Sequence, residues 1–363
     1  MELASLRTSL LSKLRKRRWL WITLGAILLL LVIVLFVLMR MTAFHHVRID
    51  QSNEALGIQP VPAATMPADS SGGVPDASAA PDKLAFPNAT AEDIPSGDQI
   101  RNIALFGLDR RSTKGSARSD VMMILTIDYA REKIKLTSLM RDLYVPIEGH
   151  GHAKLNAAYA YGGAPLAIKT INQNFGTDIR DYVTVDFFTM EKIINAVGGV
   201  DINVKPNEVD TLNMYMGDTS RIENKKAPLV EQGGLQTLNG MQAVAYARIR
   251  YVGNADFERT ERQRTVLQAM VDRVKEEGVA SIPELLIKTA PYVETTLTRS
   301  DMLSMAYRYF KSDKMTIEKN RYPRDGTWQA ATTADGQWIL DTDLEQIKQQ
   351  IQDYIFRDTQ DPL

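Results

Sequence analysis

The chain is 363 residues long, enough for one large domain or two small ones, and carries 43 basic against 44 acidic side chains. It has no cysteine, which excludes a disulfide framework and a thiolate metal site, so the folded part must be held by an ordinary core. Residues 1–18 take six of the basic side chains and one acid, leaving 37 against 43; that acidic remainder lacks the broad basic field nucleic-acid binding requires.

Residues 19–39, WLWITLGAILLLLVIVLFVLM, are 21 consecutive uncharged, mostly apolar positions. At about 1.5 Å of rise per residue they span roughly 31 Å, the thickness of a hydrocarbon core, and predict an uncleaved transmembrane helix. A cleaved signal peptide competes, but its apolar core is usually shorter and small residues follow it, whereas Arg40 and bulky residues follow here. Arg7, Lys13, Arg15, Lys16, Arg17 and Arg18 precede the span and only Arg40 and Arg48 follow closely. The positive-inside bias therefore makes residues 1–18 a cytoplasmic tail and puts the rest outside the cell membrane, single-pass. Residues 40–98 are assigned to a linker, because 59–88 hold six prolines among Ala, Ser, Gly and Asp with no apolar period. About 50 residues of flexible coil reach on the order of 40 Å, so the outer domain works near the membrane without being fixed to it.

NIALFGLD (102–109) predicts a buried strand ending at Asp109, followed by the polar loop RRSTKGSARSD. VMMILTID (121–128) and KIKLTSLM (133–140), separated by YARE, predict a hairpin. If it closes around 129–132, paired positions sum to about 261, so Asp128 faces Lys133 and Asp120 faces Arg141 at the open end. KLNAAYAYGG and APLAIKTINQNFG read as helical, with Pro165 near a first turn and Gly176 as a stop. RDYVTVDF predicts a strand, TMEKIINAVGG a helix started by Thr189 and ended by Gly198, and VDINV another strand. Residues 205–236 read as irregular, a helix runs from about Asn239 to Ala247, and Asp256 is a good N-cap for a long helix through FERTERQRTVLQAMVDRVKEE. The alternation predicts an α/β or α+β fold with a mixed central sheet flanked by helices.

YARIRYVGNADFERTERQR (246–264) crowds Arg248, Arg250, Arg259, Arg262 and Arg264 into 19 positions. In the long helix Val266, Leu267, Met270, Val271 and Val274 form an apolar stripe, and one turn back the stripe reaches Gln263 and Arg259, which should point inward. Positive charge at a helix N-terminus costs stability unless an anion is bound. The bland alternative is a solvated face with Glu258–Arg262 and Glu261–Arg264 pairs worth about 0.2–0.5 kcal/mol each; it accounts for Arg262 and Arg264 and poorly for Arg259 and Gln263. Arg248 and Arg250, two apart, share one face if the chain is extended there. Converging guanidiniums suit a ligand with more than one phosphate.

Asp109 and Asp120 flank the first loop, a placement that suits Mg²⁺ with phosphate oxygens completing its shell, although acids at loop ends are more often caps or ion pairs. Thr113-Lys114-Gly115 lacks the glycine pattern of a phosphate loop, neither G-x-S-x-G nor H-E-x-x-H occurs, and His150 and His152 lack a third metal ligand at suitable spacing.

NIALFGLDRR, ARSDVMMILTID, SLMRDLYVPI, KLNAAYAYGG, VGGVDINV, AVAYARIR and DFERTERQR, in this order, resemble the LytR-CpsA-Psr family over residues 101 to about 275, and GTWQAATTADGQWIL looks like that family's usual ending. The resemblance implies a catalytic domain over 99–275, with helices and a hairpin of 276–363 packed on it. It also implies transfer of a glycopolymer, such as teichoic acid or capsular polysaccharide, from a polyprenyl pyrophosphate carrier to peptidoglycan, with Mg²⁺. Carried over by position, it makes Asp109 and Asp120 metal ligands, and Arg118, Arg141, Arg248, Arg250, Arg259 and Gln263 pyrophosphate contacts, with Asp109, Asp120, Arg141 and Arg259 as catalytic groups. Asp142 or Asp109 is a candidate base for the acceptor hydroxyl. Met140 departs from the family, which usually has proline before the Arg-Asp pair. Two other readings fit the same residues: a polyprenyl pyrophosphate phosphatase, and a non-enzymatic, membrane-tethered envelope regulator that binds lipid carriers.

Overall fold

Side chains leave the two faces of a strand alternately, and several strands here are apolar on both faces, so helices must cover both. The computed structural model describes residues 45–59, 99–108, 118–223, 225–226, 228–250, 255–278, 281–312 and 314–359. The span expected at 19–39, most of the linker, and Asp109 lie outside these. Among the described residues no helix is long and apolar enough to cross a membrane.

The chain runs β1 (His45–His46), β2 (Ile100–Leu108), β3 (Ser119–Asp128), β4 (Lys133–Leu139), β5 (Tyr144–Ile147), β6 (Gly151–Lys154), α1 (Ala157–Phe175) and β7 (Asp181–Asp186). It continues through α2 (Phe187–Ala196), β8 (Val200–Val204), a 3-10 turn (Pro206–Glu208), α3 (Val209–Glu223), β9 (Gly234–Leu238), α4 (Gly240–Arg248) and α5 (Ala255–Glu277). The last part holds α6 (Ile282–Thr289), β10 (Glu294–Thr295), α7 (Arg299–Lys311), β11 (Thr316–Tyr322), β12 (Trp328–Thr332), β13 (Trp338–Thr342) and α8 (Leu344–Gln352).

Seven strands make one mixed sheet in the order β1-β10-β7-β2-β3-β4-β11. β2 is antiparallel to β3 and parallel to β7, and β11 is parallel to β4. On one face Ala104, Phe106, Met122, Ile124 and Tyr182 pack with Ile168 and Ile171 of α1 and Ile347 and Ile351 of α8. On the other, Ile103, Leu105 and Val183 meet Met302 and Met305 of α7. The fold is the expected α/β class with a mixed central sheet flanked by helices, and residues after 275 supply β10 and β11 to that sheet.

Several local expectations differ. Residues 205–236 contain α3 and β9; Leu212 and Met216, one turn apart and buried, anchor a helix whose apolar pattern is otherwise sparse. Asp186, not Thr189, is the N-cap of α2, with Thr189 completing the capping box. The two helices expected over 154–176 form one element, α1, kinked at Gly162–Gly163 and closed by Gly176 at φ 62°. Residues 45–59, assigned to the linker, contribute β1 and bury Leu56, whose carbonyl accepts from Asn172 Nδ2 at 2.8 Å.

Candidate active site

The site begins with a strand irregularity. β2 and β3 pair one-for-one from Ile100↔Asp128 to Gly107↔Val121, then jump to Leu108↔Ser119, leaving Asp120 as the extra residue of a bulge. Bulges re-aim a side chain without breaking the sheet. Gly107 is required opposite it, because a Cβ there would stand 2.7 Å from Val121 Cβ. The β3–β4 register, Asp128↔Lys133 through Met123↔Ser138, has the expected sum of 261. Its continuation brings Arg141 to Asp120, with Nη1 2.6 Å from Oδ1. Met140, where proline is usual, donates its backbone N–H to Tyr322 O at 2.9 Å, a bond proline would lack, and so fastens the segment holding Arg141 to β11.

The first turns of α5 supply the other wall. Asp256 lies inside the helix rather than capping it, and its carboxylate is shared by three arginines. Arg141 Nη2 is 3.3 Å from Oδ2, Arg250 Nε is 2.8 Å from Oδ1, and Arg259 Nε is 3.6 Å from Oδ1. Arg250 Nη2 also donates to Oδ2 at 3.4 Å, while Oδ1, among the described residues, accepts no hydrogen bond despite its charge partners. Arg259 also lies 3.8 Å from Asp120 Oδ2, and its Nε, in a side chain 5% exposed, has no hydrogen-bond acceptor among the described residues.

Electrostatics follow from this crowding. Burial disfavours the Arg141 charge, yet the carboxylates of Asp120, Asp142 and Asp256 outweigh it and raise its pKa. For Arg259, burial and the neighbouring Arg141 outweigh Asp256 and Asp120, so its pKa is lowered. Burial opposes ionisation of Asp256, but Arg259, Arg141 and Arg250 overcome it and hold the carboxyl below its ordinary range. A buried guanidinium that repels its neighbour and has an unused donor is a place for an anion.

Asp120, Arg141, Arg250 and Arg259 thus converge, Gln263 lies one turn beyond Arg259, and Arg118 is exposed one residue before β3. Arg248 departs: it ends α4 rather than sharing an extended face with Arg250, sits over the rings of Phe187 and Tyr215, and donates to Thr219 Oγ1 at 3.1 Å. Arg262 and Arg264 are not on a solvated face. Arg262 is 3% exposed and bonds Glu208 and Glu258, each at 2.8 Å, while Arg264 donates to Ser138 Oγ at 2.9 Å and pairs with Glu261. Asp256 is the residue that sequence reasoning misplaces; its signal is a carboxylate three positions before an inward-facing arginine.

Beside the cluster, between the sheet and α2, α4 and α5, lies a cavity of about 280 Å³. Its walls are apolar: Leu105, Val121, Met123, Val183 and Val185 from the sheet, Phe187 and Met190 from α2, Ala243, Val244 and Ala247 from α4, and Val266, Leu267 and Met270 from α5. Gln263, one turn from Arg259, and Val121, next to Asp120, both line it, so the cavity lies close to the charged cluster.

An apolar cavity beside a cluster of arginines is the arrangement a lipid with a phosphorylated head requires, and residues 76–353 match the LytR_cpsA_psr family. The chain belongs to the LytR_cpsA_psr family. Among its relatives, the regulatory protein MsrR of Staphylococcus aureus (strain COL) is 29% identical over 260 residues, 71% of this chain and 75% of MsrR. The polyisoprenyl-teichoic acid–peptidoglycan teichoic acid transferase TagV of Bacillus subtilis (strain 168) is 33% identical over 222 residues, 59% of this chain and 54% of TagV. A solved structure of the family protein YwtF (TagT) with bound octaprenyl pyrophosphate lipid superposes with a TM-score of 0.54 at 25% identity, covering 71% of this chain and 91% of that one.

Proposed function

We propose that the protein transfers a glycopolymer from a polyprenyl pyrophosphate carrier to peptidoglycan, as a phosphotransferase at the outer face of the cell membrane. The observation that carries this reading is the apolar cavity, lined in part by Gln263, with the buried Arg259 one helical turn away, whose Nε lacks an acceptor among the described residues. The prenyl chain occupies the cavity, and Arg141, Arg250 and Arg259 take the pyrophosphate. The basic residues of 1–18 and the apolar run of 19–39 are read as a signal anchor that keeps the domain within reach of a carrier in the bilayer.

A divalent ion suits the acids at the mouth. Asp120 Oδ1 is committed to Arg141, whereas Oδ2, among the described residues, has the 3.8 Å contact with Arg259 and would be available as a ligand once phosphate takes over Arg259. Two carboxylates can hold Mg²⁺ when phosphate oxygens and water complete its shell. Mg²⁺ held by Asp120 and Asp109 would neutralise charge developing on the phosphates. The arginines, kept in place by Asp120 and Asp256, stabilise the same charge without reorganising. The acceptor hydroxyl gives its proton to an acid, Asp142 or Asp109, its oxygen bonds to the polymer-side phosphorus, and the bridging bond breaks with its electron pair leaving on the carrier phosphate.

The test is the lipid that purifies with the full chain in mild detergent. Mass spectrometry should find a polyprenyl pyrophosphate, with or without attached sugars. Phospholipid alone in the cavity would contradict the reading. MsrR's name as a regulatory protein favours a second reading, a tethered regulator that binds the same lipid. Asp120→Ala separates the two, since polymer attachment in cells should fail in an enzyme and persist in a regulator.

A further inference from the structure

Arg141 adjoins, through Asp142, a second surface whose residues do not line the apolar cavity. Asp142 Oδ2 lies 3.3 Å from Arg141 Nε, and Asp142 Oδ1 lies 2.7 Å from Lys154 Nζ. Lys154 pairs in register with Tyr144 across the β5–β6 hairpin, and Tyr144 lies 5.6 Å from His152, ring centre to ring centre. The C-terminal hairpin joins here: Leu340 N donates to Asp142 O at 2.9 Å, and two residues earlier Trp338 sets its ring 6.0 Å from Lys154 Nζ. Trp338 is 43% exposed and His152 is exposed. Trp338 thus presents an exposed aromatic face beside Lys154 and the exposed His152.

We propose that Trp338, Tyr144, His152 and Lys154 form the platform that seats the acceptor glycan. This rests on the transfer reading above and adds where the second substrate lies. Two observations choose the acceptor over the sugars of the lipid donor. None of these residues lines the lipid cavity, which is walled by the central sheet with α2, α4 and α5, whereas the platform stands on β5, β6 and β13. Transfer at phosphorus also runs roughly in line, so with the carrier leaving on the cavity side the nucleophile enters from the side of the phosphorus away from the cavity. The apolar face of a pyranose ring packs on an indole, while Tyr144, His152 and Lys154 offer polar groups to its hydroxyl and acetamido substituents. A hydroxyl seated there is delivered beside Asp142.

The experiment titrates a tetrasaccharide of alternating N-acetylglucosamine and N-acetylmuramic acid into the full chain, following tryptophan fluorescence and heat. Farnesyl pyrophosphate is titrated separately as the lipid-site probe. Trp338→Ala should weaken the tetrasaccharide at least tenfold and leave farnesyl pyrophosphate unchanged, with Trp338→Phe in between; His152→Ala should weaken the tetrasaccharide in the same selective way. In the transfer assay Trp338→Ala should raise the acceptor KM more than it lowers kcat. Unaltered tetrasaccharide affinity and acceptor KM in both alanine variants would overturn the platform, as would selective loss of a sugar-bearing lipid pyrophosphate, which would give the surface to the donor. Transfer that proceeds regardless of Trp338 sinks this inference alone; selective tetrasaccharide binding without any transfer sinks the transfer reading and leaves the platform standing.

Discussion

Arg141 Nη1 lies 2.6 Å from Asp120 Oδ1, which ties the residue just beyond the β3–β4 hairpin to the bulge beside the first loop. The pair has two consequences with opposite signs. Removing the carboxylate makes the mouth more positive, so Asp120→Asn should bind farnesyl pyrophosphate without Mg²⁺ as well as the wild type or better. The same variant should lose the Mg²⁺-dependent gain in affinity and the transfer activity. Calorimetry with and without Mg²⁺ reads both, and weaker metal-free binding would indicate that Asp120 only supports the fold.

Arg259 and Arg250 should not tolerate lysine, because an ammonium cannot present the two-pronged donor that phosphate accepts. Charge-assisted bonds are worth about 1.5–3 kcal/mol, so buried Arg259→Lys should weaken pyrophosphate binding roughly a hundredfold. Arg250, 42% exposed at its side chain, is partly screened by water, and its lysine variant should lose only about tenfold. Arg221, 82% exposed at its side chain, is a silent control, which Arg264, buried on Ser138 and Glu261, is not. Equal affinities for Arg221→Lys, Arg250→Lys and Arg259→Lys would remove the pyrophosphate from this cluster.

The hairpin register and the inward turn of Arg259 and Gln263 are legible in the sequence because both follow from local periodicity, two for strands and 3.6 for helices. The bulge is not: Asp120 is the extra residue only in relation to Gly107 and Leu108, a pairing no single strand announces. Arg262 and Arg264 read as solvent-facing because their near neighbours Glu258 and Glu261 suffice for a surface account. Their burying partners, Glu208 and Ser138, lie 54 and 126 residues away. Asp256 reads as a cap because its three arginines come from three separate segments.

Asp256 makes stability depend on acid. Its folded pKa is depressed, so its contribution is fully present above the unfolded value of about 3.9 and is lost as pH falls through that value towards the lower folded one. Thermal unfolding of the wild type should show a falling melting temperature below about pH 4. Asp256→Asn should start lower at neutral pH and lose less on acidification; parallel acid limbs in the two proteins would show that Asp256 is not the titrating group.

The cavity should set the length of prenyl chain accepted. Ala247→Phe places a ring among Phe187, Met190 and Leu267 and displaces part of the chain into water. Because burying apolar surface is worth about 25 cal/mol per Å², a long-chain prenyl pyrophosphate kept from some 60 Å² of wall should bind more than tenfold more weakly, where ~60 Å² is a fraction of one aromatic side chain. Inorganic pyrophosphate, which uses only the arginines, should bind unchanged. Equal losses for both ligands would mean that the ring disturbed the fold rather than filled the cavity.

The central claim is transfer, and its most direct measurement uses the purified full chain, Mg²⁺, peptidoglycan and a polyprenyl pyrophosphate bearing a labelled glycan. The label should move to the insoluble peptidoglycan, with one polyprenyl phosphate formed for each glycan attached, and Arg259→Lys should suppress both together. Phosphate release with the glycan left in solution would make the protein a phosphatase, and a lipid that binds but never reacts would make it a tethered regulator; either result would contradict the account.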